Sequence, residues 1–183
     1  IFMAAAIWKR NSKRRENQNR RNKKSHRGIK PDMKIDKNYE TQSLAQLDKK
    51  YRPAKEIDFP SRLVVRHNAL LVKPIGEYTV EDLRLMIGQN TGLEYLIPKA
   101  IEVLEKDMFA EGDFYPGDLL EKVLGADPKF WNAHGRYAQV LMTLLQEKMV
   151  DLLNLDLTDE IKESILAAYE KFKMRGQNYK ALA

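Results

Sequence analysis

Between Thr91 and Asp107, the apolar residues Leu93, Leu96, Ile97, Ala100, Ile101 and Leu104 recur at i, i+3, i+4, i+7, i+8 and i+11. That spacing puts all six on one side of a 3.6-residue helix, so the segment can be covered only by other elements packed along it. Thr91 and Glu94 stand at capping-box spacing, which predicts a helix opening at Thr91. Pro98 falls inside the run, removes the bond to the carbonyl of Glu94 and predicts a kink there. Lys99 stands where the pattern would favour an apolar residue.

The same period recurs from about residue 42 onward, and no run of alternating β-branched residues competes with it. Leu44 and Leu47 share a side of Ser43 to Lys50, after which YRPAKEIDFP breaks regularity with Pro53 and Pro60. Ser61 caps a short helix carrying Leu63, Val64, Leu70 and Leu71, closed by Lys73 and Pro74. Thr79 and Asp82, again at capping-box spacing, open a helix through Leu83, Met86 and Ile87.

Asp118 to Leu124 turns Leu119, Leu120, Val123 and Leu124 inward, with Gly125 expected in the left-handed conformation at its end. Asp127 as cap and Pro128 at the first helical position predict one long helix to about Val150, with Trp131, His134, Ala138, Leu141 and Leu145 on one face. A last helix follows Thr158, with Ile161, Ile165, Ala168, Tyr169 and Phe172 inward and Gly176 ending it. The fold class expected is all-α, a single-domain bundle of about six to seven helices.

Charge divides the chain. Residues 1–30 carry eleven Lys or Arg against the single acid Glu16, while residues 31–183 hold 21 basic and 25 acidic residues, a balance of −4. The basic segment has nothing to bury, so residues 1–40 are expected to be a disordered N-terminal extension and residues 41–183 the helical domain. Lys and Arg at this density can bind polyanions by counterion release, although no interleaved aromatic offers a stacking platform.

The chain has no cysteine, which excludes disulfides and thiolate nucleophiles and fits a cytoplasmic location. No apolar run approaches the roughly 18 residues of a membrane span, so no membrane partner is expected. The opening IFMAAAIW is followed rather than preceded by basic residues, unlike a secretory signal, and reads as a start-site artefact with Met3 as a candidate start.

The stretch EGDFYPGDLL, Glu111 to Leu120, concentrates carboxylates and aromatics. Glu111, Asp113, Asp118 and His134 are the natural metal-ligand candidates, but their spacing matches neither an EF-hand nor HExxH. A hydrolytic site on Asp113, Asp118 and His134 would require the three to converge in a cleft. His134 shares its face with Trp131 and is better explained as a packed, hydrogen-bonded side chain. No GxSxG, GxxxxGK or GxGxxG occurs. No catalytic residue, cofactor or metal is therefore assigned, and the chain reads as non-enzymatic.

What remains is a bias of eight acids against two bases between Glu94 and Glu121. The apolar stripe fixes the inward side of the 91–107 helix, so Glu102 and Glu105 face outward and lead toward Asp107, Glu111 and Asp113. These five form a candidate surface for a basic protein partner, with Phe109, Phe114 and Tyr115 beside it as aromatic anchors. The competing reading is a solvated helix face next to core aromatics.

VEDLRLMIGQNTGLEYLIPKAIEVLEKD (Val80 to Asp107), AEGDFYPGDLLEKVL (Ala110 to Leu124) and the pair Phe130 and Trp131 closely resemble a family of bacterial contact-dependent growth inhibition (CDI) immunity proteins. Weaker similarity extends from about Ser43 to Arg175. The resemblance implies a small helical cytoplasmic protein that binds the C-terminal toxin domain of a cognate toxin and inhibits it by occlusion. Many such toxins are nucleases with basic surfaces. The family brings no catalytic residues, and its shared motifs do not locate the toxin-binding face. The basic arm lies outside the resemblance and carries the alternative, a nucleic-acid-associated helical protein.

Overall fold

The computed structural model describes residues 38–53 and 61–179. The basic run of residues 1–37, with the disorder and nucleic-acid binding expected of it, lies outside the described residues, as does the segment 54–60.

Among the described residues there are eight α-helices and no strand. They are α1 (Leu44–Leu47), α2 (Arg62–Val72), α3 (Val80–Gly88), α4 (Leu93–Lys106), α5 (Asp118–Gly125), α6 (Pro128–Ala133), α7 (Gly135–Lys148) and α8 (Asp159–Tyr179). Short 3₁₀ turns at Tyr39–Thr41, Lys49–Tyr51, Ile75–Glu77 and Met149–Asn154 join or flank them. No helix among the described residues is long and apolar enough to cross a membrane.

The all-α class holds, and the core follows the expected stripes in α4 and α5. Of the five residues expected inward on α8, only Ile165 and Phe172 are buried, whereas Ile161, Ala168 and Tyr169 are half-buried, and Leu63 of α2 is exposed. All six apolar residues of α4 are buried, as are Leu119, Leu120, Val123 and Leu124 of α5. Helix α5 lies between α3 and α8, α4 packs against α3, and α7 packs against α8. Trp131 meets Phe172 edge to face with ring centroids 5.0 Å apart, and both side chains are fully buried. Each large apolar side chain removed from water in this way contributes on the order of 1.5–3 kcal/mol.

The predicted caps divide into two groups. Ser61 accepts from the Val64 N–H, Asp127 accepts from the Lys129 N–H with Pro128 first in its helix, and Thr79 and Asp82 form the full capping box. Thr91 is not a cap. The chain reverses between α3 and α4 through Asn90 (φ 52°) and Gly92 (φ 67°), and Gly92 becomes the N-cap of α4. A Cβ on Gly92 would come within 2.7 Å of the Leu44 side chain, so the approach of α1 requires glycine there. The Thr91 hydroxyl instead meets His67 Nε2 at 3.0 Å, and Glu94 accepts from Lys50 Nζ at 2.7 Å and from the Tyr51 hydroxyl.

Three helix boundaries also differ. Gly125 is the last residue of α5 and does not take a positive φ. The single long helix expected from Pro128 is two, because His134 leaves helical geometry at φ −127°, ψ 50°. Its N–H closes α6 on Phe130 while its carbonyl accepts from the Tyr137 N–H to open α7, and the following Gly135 is a poor helix former. Gly176 does not stop α8, which continues to Tyr179. Pro98 sits within α4, which runs from Leu93 to Lys106 across it.

Candidate protein-binding site

The loop from Asp107 to Gly117, between α4 and α5, is held from beneath by carboxylates. Asp118, the first residue of α5, is only 1% exposed. Its Oδ1 accepts from the Gly112 N–H at 2.8 Å and its Oδ2 from the Phe114 N–H at 3.3 Å. Glu81 of α3 is also buried, and its Oε2 accepts from the Asp113 N–H at 3.1 Å. Three consecutive amides of the tip, counting Gly112, Asp113 and Phe114, are thus bound by two buried anions. Hydrogen bonds to charged groups of this kind contribute roughly 1.5–3 kcal/mol each.

Two arginines balance those anions. Arg84 Nη2 donates to Glu81 Oε1 at 2.7 Å, and its Nε lies 3.6 Å from Asp118 Oδ2. Arg66 of α2 reaches Asp113 Oδ2 at 3.0 Å and lies 3.5 Å from Glu81. The adjacent carboxylates hold both guanidinium groups above the usual arginine range, Glu81 acting first on Arg84 and Asp113 first on Arg66. At Asp82, burial would raise the carboxyl, but the Lys73 ammonium at 2.8 Å and the Thr79 N–H outweigh it and keep it below the ordinary carboxylate range.

Backbone shape completes the loop. Glu111 and Pro116 pair across it as an isolated bridge, and the Gly117 N–H donates to the Phe109 carbonyl at 2.9 Å. Gly117 has φ 94°, and a Cβ there would lie 2.9 Å from Ile165 of α8. A Cβ on Gly112 would fall 2.7 Å from Glu81 Oε2 and 2.9 Å from Asp118 Oδ2, so the carboxylates close over a residue that has no side chain. The Tyr115 hydroxyl donates to Glu121, and burial followed by that carboxylate pushes its pKa up to about 12.

The acidic run therefore separates into two populations. Glu94, Asp118 and Glu121 are spent on internal bonds. Glu102 and Glu105 on α4, Asp107 at its C-cap, and Glu111 and Asp113 on the loop are all exposed. Asp113 shares its charge with Arg66. Glu102 lies near Tyr39, whose hydroxyl is pushed up by burial first and by Glu40 and Glu102 after it.

Of the three aromatics expected as anchors, Phe109 is buried and Tyr115 is engaged with Glu121. Phe114 is 64% exposed, with the Arg84 guanidinium 4.3 Å from its ring centroid.

The residues considered for a metal or hydrolytic site engage separate partners. Asp118 binds backbone amides, Asp113 pairs with Arg66, and His134 packs between Phe130 and Tyr137. Among the described residues no group of three His, Asp or Glu could hold a metal ion. Glu81, Arg84 and Arg66, which aim the loop, went unread in the sequence. The i, i+3 spacing of Glu81 and Arg84 was its one visible trace.

A family profile described as CDI immunity proteins matches residues 46–141. Searches of the curated proteins and of the solved structures return no match. The matched stretch holds α2 to α6, the acidic face of α4 and the carboxylate-clamped loop, and it spans just over half of the sequence. With that share of its length inside the profile, this chain belongs to the CDI immunity proteins.

Proposed function

We propose that this protein neutralises a cognate CDI toxin by binding its C-terminal toxin domain over the surface that the toxin needs for activity. The proposed contact surface is Glu102, Glu105, Asp107, Glu111 and Asp113, with Phe114 as its apolar anchor. One observation carries the reading: these five acids stay exposed around a loop whose backbone is already fixed, even though Asp113 pairs with Arg66 and Asp107 accepts from the Phe109 N–H.

Such an arrangement favours a basic partner. Exposed carboxylates raise the encounter rate, and a pre-ordered loop avoids much of the entropy cost of binding. A domain that acts on nucleic acid carries the complementary positive surface, so the toxin proposed is a nuclease, and inhibition is occlusion without chemistry. The site of action proposed is the cytoplasm.

The test is to mix the purified protein with the toxin domain encoded beside it and measure association rates and protection of toxin-expressing cells. A complex forming at or below micromolar concentration, with rescue, is expected. The charge reversals Glu102→Lys and Glu105→Lys should slow association without unfolding the protein. No complex at micromolar concentration and no protection would end the reading.

A further inference from the structure

On the molecule's other charged feature, a cleft of about 440 Å³ opens between the C-terminal ends of α3 and α5 and one face of α8. Ile87 and Leu124 lie fully buried beneath it, Pro128, Ala167 and Ala168 give it an accessible apolar wall, and Gly88 and Gly125 keep it open. A Cβ on Gly125 would meet nothing within 4 Å. Lys122, Lys171 and Arg175 line it, with the Ser164 hydroxyl on the same face of α8.

Lys171 and Arg175 stand at i and i+4 on α8, where like charges repel. Lys50, Arg66, Lys73, Arg84 and Lys99 each pair with a carboxylate, whereas the cleft cations on α8, like Lys106, Lys129 and Lys162, leave their charge available. Lys171 and Arg175 have no ion-pair or hydrogen-bond partner among the described residues. The one carboxylate lining the cleft, Glu121, already accepts from the Tyr115 hydroxyl and lies 3.5 Å from Lys122.

We propose that this cleft binds a small organic phosphate monoester, its phosphate held by Lys122, Lys171 and Arg175 and its organic body against Pro128, Ala167 and Ala168. A planar guanidinium fork with two ammonium groups matches a head with three terminal oxygens and up to two charges, and the volume lies in the range of small-ligand sites. The α8 wall lies outside the residues that the family profile covers. The site stands independently of toxin binding.

Titration calorimetry on the full chain, with AMP, adenosine, citrate and a 5′-phosphorylated RNA hexamer as probes, tests it. AMP should saturate one site, adenosine should not bind, and citrate should bind more weakly. Lys171→Gln and Arg175→Gln should each weaken AMP by at least about tenfold, the loss of one charge-assisted bond. Lys173→Gln, an exposed lysine paired with Glu170 outside the cleft, should leave AMP affinity unchanged. Hexamer binding tighter than AMP and lost in the same variants identifies a nucleic-acid end as the source of the phosphate; weaker hexamer binding identifies a free metabolite. No AMP binding at millimolar concentration, binding undiminished in both variants, or citrate binding equal to AMP overturns the proposal.

Discussion

Asp118 and Gly112 form one device, an anion closing over a residue with no side chain. Gly112→Ala forces a methyl within 3 Å of two carboxylate oxygens and should cost about 1–3 kcal/mol in chemical denaturation. Asp118→Ala leaves the Gly112 and Phe114 amides without their acceptor and should cost about 2–3 kcal/mol, with Asp118→Asn recovering part of it. Asp118 was legible as a helix-start acid, but its acceptor role was not. That role depends on a loop that folds back six residues upstream, and on Glu81 arriving from another helix.

His67 carries a pH signature. Burial lowers its pKa below the ordinary 6.5, so the unfolded chain takes up the proton first. Its contribution to stability is therefore complete above pH 6.5 and is lost as pH falls from 6.5 toward its folded value. A plot of unfolding free energy against pH should dip over that interval, and His67→Gln should remove that part of the slope.

At the scale of the helices, periodicity carried most of the information. The stripe of α4 was read residue for residue because a wrong register would expose six apolar side chains at once. The boundaries were harder. Thr91 and Glu94 satisfy a spacing rule, but the left-handed Gly92 capped α4 instead, because α1 presses Leu44 against it. The break at His134 was hidden for a related reason: Trp131, Ala138, Leu141 and Leu145 stay buried on either side of it, so the pattern alone looks like one helix.

Helix α8 lies beyond the profile match yet is built into the core through Ile165 and Phe172. Phe172→Ala removes the ring that meets Trp131 and should destabilise the protein by about 3–5 kcal/mol, seen as a lowered denaturation midpoint.

Across the whole molecule the acids serve two purposes that composition could not separate. From the sequence they are one run of like charge; only tertiary structure divides the buried clamps from the exposed face. The proposed interface should therefore respond to salt and to Phe114 differently. Raising ionic strength from 0.01 to 1 M, which shortens the screening length from roughly 30 to 3 Å, should slow toxin association. Phe114→Ala should act mainly on dissociation, because an apolar anchor contributes after encounter. Stopped-flow measurement of both rate constants separates the two effects.

Three amides at the tip of the loop are held by Asp118 and Glu81, while the side chains of Glu111, Asp113 and Phe114 stay exposed, Asp113 adding only an exposed ion pair to Arg66. If the proposed surface is the one that binds, recognition can be rewritten at the tip while the scaffold stays fixed. A library randomised at these three positions would fold as a set and differ in what it binds.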